Sequence, residues 1–192
     1  MRLVLATRNP HKVREFARLL PGHEVVPLPG DVELPPETSG TFAGNALPKA
    51  RAVAHALGVP AFADDSGIEA AALDGAPGVR SARFAGEGAT DTQNLDRLRA
   101  EAPAGSALAY VCALAYVDGE TWELFEGRCT GTMAPEPRGE GGFGYDPIFV
   151  PDDDDQAGTA PRTMAQLTDA EKDAISHRGR AARALLAWLD RG

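Results

Sequence analysis

Pro60-Ala61-Phe62-Ala63-Asp64-Asp65-Ser66-Gly67 is the stretch whose reading decides the fold. Four apolar or small residues end abruptly in two carboxylates, a hydroxyl and a glycine. The run reads as a buried strand that stops at a polar edge. A turn is the other reading, and for these residues alone the commoner one, because Asp, Ser and Gly are favoured in turns. In open α/β sheets, chemistry collects beyond the carboxyl ends of strands. Two acids at such a place suit a hard cation such as Mg²⁺, which takes oxygen ligands at about 2.0–2.1 Å. One of them can also take a proton from water.

Upstream, Leu3-Val4-Leu5-Ala6 predicts a buried strand and Thr7-Arg8-Asn9-Pro10-His11-Lys12 a loop. Val13, Phe16, Ala17 and Leu20 then recur at helical spacing until Pro21-Gly22. Asn9 suits the N-cap and Pro10 the first helical position. A strand, a short polar loop and a helix start form a natural phosphate site, since free N–H groups and the helix dipole both favour an anion. Arg8, His11 and Lys12 add donors. A plain connection with surface bases reads equally well, and the phosphate-loop pattern G-x-x-x-x-G-K-[ST] is absent from the sequence.

Glu24 to Pro27 predicts a second strand, followed by a proline-rich loop over 28–40 that carries Glu37. A helix is expected from near Thr41 to Gly58, with Asn45 and Lys49 on one side at i, i+4. Beyond the acid pair, Ile68 to Ala72 reads as a strand or a short helix. Ala107 to Val117 and Thr121 to Arg128, with Asp118-Gly119 between them, form the clearest strand pair. Thr90-x-x-Gln93 and Thr168-x-x-Glu171 read as capping boxes. The glycine-rich run 139–147 lets backbone approach a ligand, and its Phe143 can stack on a base. Asp152 to Asp155 lacks calcium-loop spacing and reads as a solvated loop. A break is expected near Ser176, leaving Lys172, His177 and Arg178 around a helix start.

With 192 residues, 43% hydrophobic and 24% charged, the chain reads as one globular α/β domain over 1–192. The net charge of −9 argues against a duplex-binding face. Cys112 and Cys129 are too few for a zinc motif, and Cys112 reads as a buried thiol. The sequence has no signal-peptide core and no apolar run near the roughly 18 residues of a membrane helix, which points to a cytoplasmic protein that does not engage membranes.

These blocks together resemble the noncanonical purine nucleoside triphosphate pyrophosphatases, the inosine/xanthosine triphosphate pyrophosphatase family. The resemblance rests on Thr7-x-Asn9-x-x-Lys12, Thr41-Phe42 with Asn45-Ala46 and Lys49-Ala50, and Asp64-Asp65-Ser66-Gly67. It continues through Gly75-Ala76-Pro77-Gly78, Ser81-Ala82-Arg83, Gly142-Phe143-Gly144-Tyr145-Asp146-Pro147, Glu171-Lys172 and Ser176-His177-Arg178-Gly179. It implies a mixed central β-sheet flanked by helices in two lobes, with the active-site cleft between them. It also implies a cytoplasmic, Mg²⁺-dependent homodimer that cuts ITP, dITP and XTP between the α and β phosphates. By the same resemblance, Thr7, Arg8, Asn9, Pro10, His11, Lys12 and Lys49 would take the phosphates, and Ser66 would also bind the substrate. Glu37 and Asp65 would hold Mg²⁺, with Asp64 close by. Asp65 would be the general base, a weak one if the metal lowers its pKa. Phe143 would stack on the purine, and Gly144, Tyr145, Asp146, Lys172, His177 and Arg178 would surround base and sugar. Arg178 and His177 would donate to a 6-oxo group that adenine lacks. Two positions depart from the family pattern: Gly44 stands where many members carry Glu, and Arg8 where the residue is often small.

Overall fold

The computed structural model describes residues 1–154 and 160–191. Its strands are β1 (Arg2–Leu5), β2 (Glu24–Pro27), β3 (Ala61–Ala70), β4 (Ala107–Asp118), β5 (Thr121–Met133) and β6 (Phe149–Pro151). Its α-helices are α1 (Pro10–Leu19), α2 (Phe42–Leu57), α3 (Asp91–Glu101), α4 (Asp169–Ile175) and α5 (His177–Leu189). The strands form one mixed sheet in the order β2-β1-β3-β4-β5-β6. β1 runs parallel to both β2 and β3, and β6 runs antiparallel to β5. Among the described residues no helix is long and apolar enough to cross a membrane.

The chain divides into two compact units. The first comprises residues 1–65, 112–127 and 178 onward, and the second residues 66–111 and 128–177. In the first unit, strand alternation sorts the side chains onto two faces. Leu3, Leu5, Phe62, Cys112 and Leu114 pack with Phe16 and Leu20 and with Ala181, Ala182 and Leu185 of α5. Val4, Ala6, Ala61, Ala63, Ala113 and Ala115 pack instead with Ala46, Ala50 and Val53 of α2. Helices therefore cover both faces, with α1 and α5 on one and α2 on the other. The second unit has its own core, in which Ile68, Leu98, Tyr110, Phe149 and Met164 meet.

One expectation is corrected. β3 does not stop at the acid pair but runs through it, so Asp64 and Asp65 lie mid-strand. β3 sits between β1 and β4, and beyond its pairing with β1 at Ala61 and Phe62 side chains take up part of its backbone, Lys49 at the Asp64 carbonyl and Ser81 at the Ile68 N–H. Residues 68–70 thereby become strand, and a 3₁₀ turn follows at Ala71–Leu73. The acidic run also differs from a purely solvated loop. Asp154 takes a bidentate ion pair from Arg162, at 2.7 and 3.1 Å, while Asp155 lies outside the described residues.

Candidate active site

The first unit gathers two carboxylates on the face covered by α2. Asp65 shares the side of β3 that Ala61 and Ala63 occupy. Asn45 and Lys49, one turn apart on α2, both reach it: Asn45 Nδ2 donates to Asp65 Oδ2 at 2.9 Å, and Lys49 Nζ lies 3.8 Å from Asp65 Oδ1. Lys49 Nζ also donates to Glu37 Oε1 at 2.6 Å and to the Asp64 carbonyl at 3.0 Å. One buried ammonium thus bridges Glu37 and Asp65. Burial works against its charge, but Asp64, Asp65 and Glu37 together raise its pKa above the ordinary value. Burial pushes the Asp65 carboxyl up, and Lys49 and the Asn45 hydrogen bond offset this only in part. The expectation of a weak base rested on a metal's charge; burial acts in the opposite direction.

Asp64 falls on the other face, with α1 and α5. Lys12 Nζ lies 3.0 Å from its Oδ1 and Arg178 Nε 3.2 Å from its Oδ2. Burial alone would raise this carboxyl, but Lys12, then Arg178 and Lys49, overcome it and hold it well below the usual range. Arg178 is itself fixed by Glu15 at 3.0 Å. Strand alternation therefore separates the two acids. Asp65 joins Glu37, and the side chain of Asp64 is engaged by cations rather than turned to Glu37.

In the loop before α1, Asn9 is the N-cap, as expected, and Pro10 opens the helix. The Asn9 side chain already accepts from the N–H groups of His11 (2.8 Å) and Lys12 (3.4 Å), so part of the anion-binding capacity of this helix start is spent on its cap. Thr7 Oγ1 accepts from the Asn9 N–H at 3.2 Å. The exposed His11 ring lies 3.0 Å from Arg14. Ser66 is half-buried in β3. Arg8 is bound to main-chain carbonyls of the loop after β2.

The second unit holds the glycine-rich loop. Asp146 is its hub: Oδ1 accepts from the Tyr110 hydroxyl (3.0 Å), and Oδ2 accepts from Lys172 Nζ (2.7 Å) and the Phe143 N–H (3.0 Å). A Cβ on Gly142, at φ +69°, would overlap Asp146 Oδ2, which explains glycine there. Lys172 Nζ stands 5.3 Å from the centre of the Phe143 ring, within cation–π range. Gly144 N–H is held by Asp91 at 2.9 Å. The ring of His177 stacks on Tyr110 at 4.7 Å. Tyr145 is buried, and its hydroxyl donates to the Ser81 carbonyl at 2.7 Å, with burial raising its pKa.

These blocks in this frame match one family model, described as the Ham1 family, over residues 3–188. The chain belongs to the Ham1 family. It is 48% identical over 201 residues to a dITP/XTP pyrophosphatase of Mycobacterium tuberculosis, covering 98% of this chain and 95% of the relative. A dITP/XTP pyrophosphatase of Deinococcus deserti is 47% identical over 190 residues, covering 96% and 88%. Among solved structures, a HAM1 protein from Coxiella burnetii has a TM-score of 0.83 at 39% identity and covers 100% of both chains.

Against this Ham1 frame, three side chains that matter to the two sets escaped their sequence reading. Glu15 sits among apolar helix positions with nothing local to mark it. Tyr110 looks like an ordinary strand aromatic, and Asp91 like part of a cap. Each is disclosed by a partner distant in sequence, 163 residues away for Glu15 and 36 for Tyr110.

The donor chemistry fits a hard divalent ion. Mg²⁺ is commonly held by one or two carboxylates together with substrate phosphates and water. Glu37 and Asp65 are two such carboxylates converging on one cation. The raised pKa of Asp65 marks a buried negative charge that the protein's own cations leave underbalanced. Among the described residues no group of three or more His, Cys, Asp or Glu is placed to hold a metal.

Proposed function

We propose that this Ham1 protein hydrolyses deaminated purine nucleoside triphosphates, ITP, dITP and XTP, to the monophosphate and pyrophosphate, and so keeps them from the nucleotide pool. The observation that carries the reading is the Glu37–Lys49–Asp65–Asn45 cluster, seated between α2 and β3 within the Ham1 frame. The names of the curated relatives support the substrate class.

In this reading residues 1–192 work as one catalytic domain. Lys49, Lys12 and the Thr7–Lys12 loop balance the charge that grows on the departing pyrophosphate. Glu37 and Asp65 would hold Mg²⁺, which would supply positive charge at the phosphates and orient water. Asp65 takes the proton of the attacking water; its burial favours the protonated form, and the charge of a bound cation would act against that. Asn45 fixes one Asp65 oxygen and leaves the other facing Lys49. Phe143 stacks on the purine, held at its N–H by Asp146 and backed by Lys172. His177 contributes its ring edge to the base. Arg178 serves by ordering Asp64 and, through it, Lys12. The same reading takes the protein to be a cytoplasmic homodimer.

Product analysis tests it: ITP with Mg²⁺, run beside ATP, GTP and dTTP. IMP and pyrophosphate should appear from ITP, with the other three nearly untouched. IDP and orthophosphate would mean that the triphosphate is cut in another register, and no product from any of them would leave a nucleotide-binding protein without turnover.

A further inference from the structure

Both terminal nitrogens of the exposed Arg8 side chain donate to main-chain carbonyls. Nη1 reaches Leu28 at 3.5 Å and Pro29 at 3.0 Å, and Nη2 reaches Gly30 at 3.3 Å and Val32 at 2.6 Å. These carbonyls open the segment 28–40, which contains neither helix nor strand. Leu28 and Val32 bury their side chains in the core under α2, so the start of the segment is pinned by apolar packing and by Arg8 together. Its far end is pinned by Asn45, which accepts from Ser39 N–H at 2.9 Å and donates to the Ser39 carbonyl at 3.4 Å. Glu37 lies between the two pins, its carboxylate 2.6 Å from Lys49.

We propose that Arg8 is a positioning residue: it ties the segment carrying Glu37 to the Thr7–Lys12 loop and thereby sets the place of the Glu37 carboxylate for a divalent cation. The inference rests on the reading of Glu37 as a metal-binding carboxylate. It gives Arg8 a different task from Lys12, which reaches a carboxylate. The guanidinium spreads its donors over a rigid plane and spans carbonyls from Leu28 to Val32. An ammonium donates from a single point and does not bridge them. Groups hydrogen-bonded directly to a metal's ligands are worth about 10- to 100-fold in metal affinity, and Arg8, acting through the segment that carries Glu37, belongs at the low end.

The test is a Mn²⁺ titration without nucleotide, reading free Mn²⁺ by electron paramagnetic resonance, on the wild type, Arg8→Ala, Arg8→Lys and Glu37→Gln. Alongside it run amide hydrogen exchange over residues 30–38 and kcat and KM for ITP across Mg²⁺ concentrations. Arg8→Ala should weaken Mn²⁺ binding about tenfold, the low end of that range, and speed exchange in the segment. Its kcat and KM should return towards wild type at saturating metal. Arg8→Lys should recover little, and it carries the same titration if Arg8→Ala does not fold. Unchanged Mn²⁺ affinity in Arg8→Ala, with Glu37→Gln weakened, would overturn the positioning role alone. A raised KM that persists at saturating metal would overturn it too, by making Arg8 a ligand of the triphosphate. If neither Arg8→Ala nor Glu37→Gln shifts the titration, the metal role of Glu37 falls and this inference with it.

Discussion

Asp64 faces α1 and α5 while Asp65 faces α2, and that single step along a strand gives the two carboxylates opposite effects on stability. The folded pKa of Asp64 is depressed, because Lys12 and Arg178 outweigh its burial. Its contribution is therefore present above the unfolded value of about 3.9 and is lost as pH falls towards the lower folded value. Asp64→Asn should cost about 3–5 kcal/mol at neutral pH, since it leaves Lys12, and Arg178 with only Glu15, beside a buried neutral group. The folded pKa of Asp65 is raised, with burial the largest cause. For an acid this means that the ionised form costs stability once pH rises through the folded value. Asp65→Asn should thus melt no lower than wild type at neutral pH and lose any advantage in acid, while its turnover drops about 100- to 10,000-fold. Thermal melts at both pH values, set beside kcat, check the pair. An Asp65→Asn protein that is well folded and turns over normally would remove Asp65 as the base.

At the scale of elements, α2 shows both what the sequence reveals and what it hides. Its cap at Thr41, its end at Gly58 and its apolar side follow from local chemistry, and the structure has all three. The β4–β5 pair and the caps at Thr90 and Thr168 were legible for the same reason. The middle of β3 was not. Two carboxylates inside a buried strand contradict local propensity, and what permits them is Lys12, Lys49 and Arg178, the last of these 114 residues away. The candidate site divides along the same line: the N-cap at Asn9 is a local signal, whereas the tasks of Arg8, Tyr145 and Arg178 depend on which distant groups reach them. Gly44 is legible only in part. The resemblance implies a carboxylate where Gly44 stands, and the structure shows that a side chain there meets Ser39 and Thr41 as the chain stands. A Cβ there would press on Ser39 Oγ and lie 2.8 Å from both Ser39 Cβ and Thr41 Oγ1. Replacing a helical glycine with alanine ordinarily stabilises, by up to about 1 kcal/mol in a helix interior, and Gly44 lies in the first turn of α2. Here Gly44→Ala should instead lower the melting midpoint, by about 1–3 kcal/mol of overpacking, and adding Ser39→Gly should recover it. A single Gly44→Ala variant that melts higher than wild type would show that the Ser39 contact yields freely.

At the scale of the molecule, the two compact units are not two successive domains. The chain passes between them four times, inside β3, β4 and β5 and at the start of α5. A cut at any of the first three crossings severs a strand, so neither unit has a continuous chain of its own. Melting one unit would remove part of three strands whose remaining residues belong to the other. We therefore expect a single calorimetric transition, with calorimetric and van't Hoff enthalpies in agreement. Pyrophosphate with Mg²⁺ sharpens the test, because the proposed phosphate and metal residues belong almost wholly to the first unit. A ligand at a concentration 100 times its dissociation constant adds about 2.7 kcal/mol to whatever unfolds together with its site. If the chain is one cooperative domain, pyrophosphate should move the whole transition upward without splitting it. Two transitions, of which pyrophosphate raises only one, would show that the units unfold independently despite the shared strands, and would count against a single domain over 1–192.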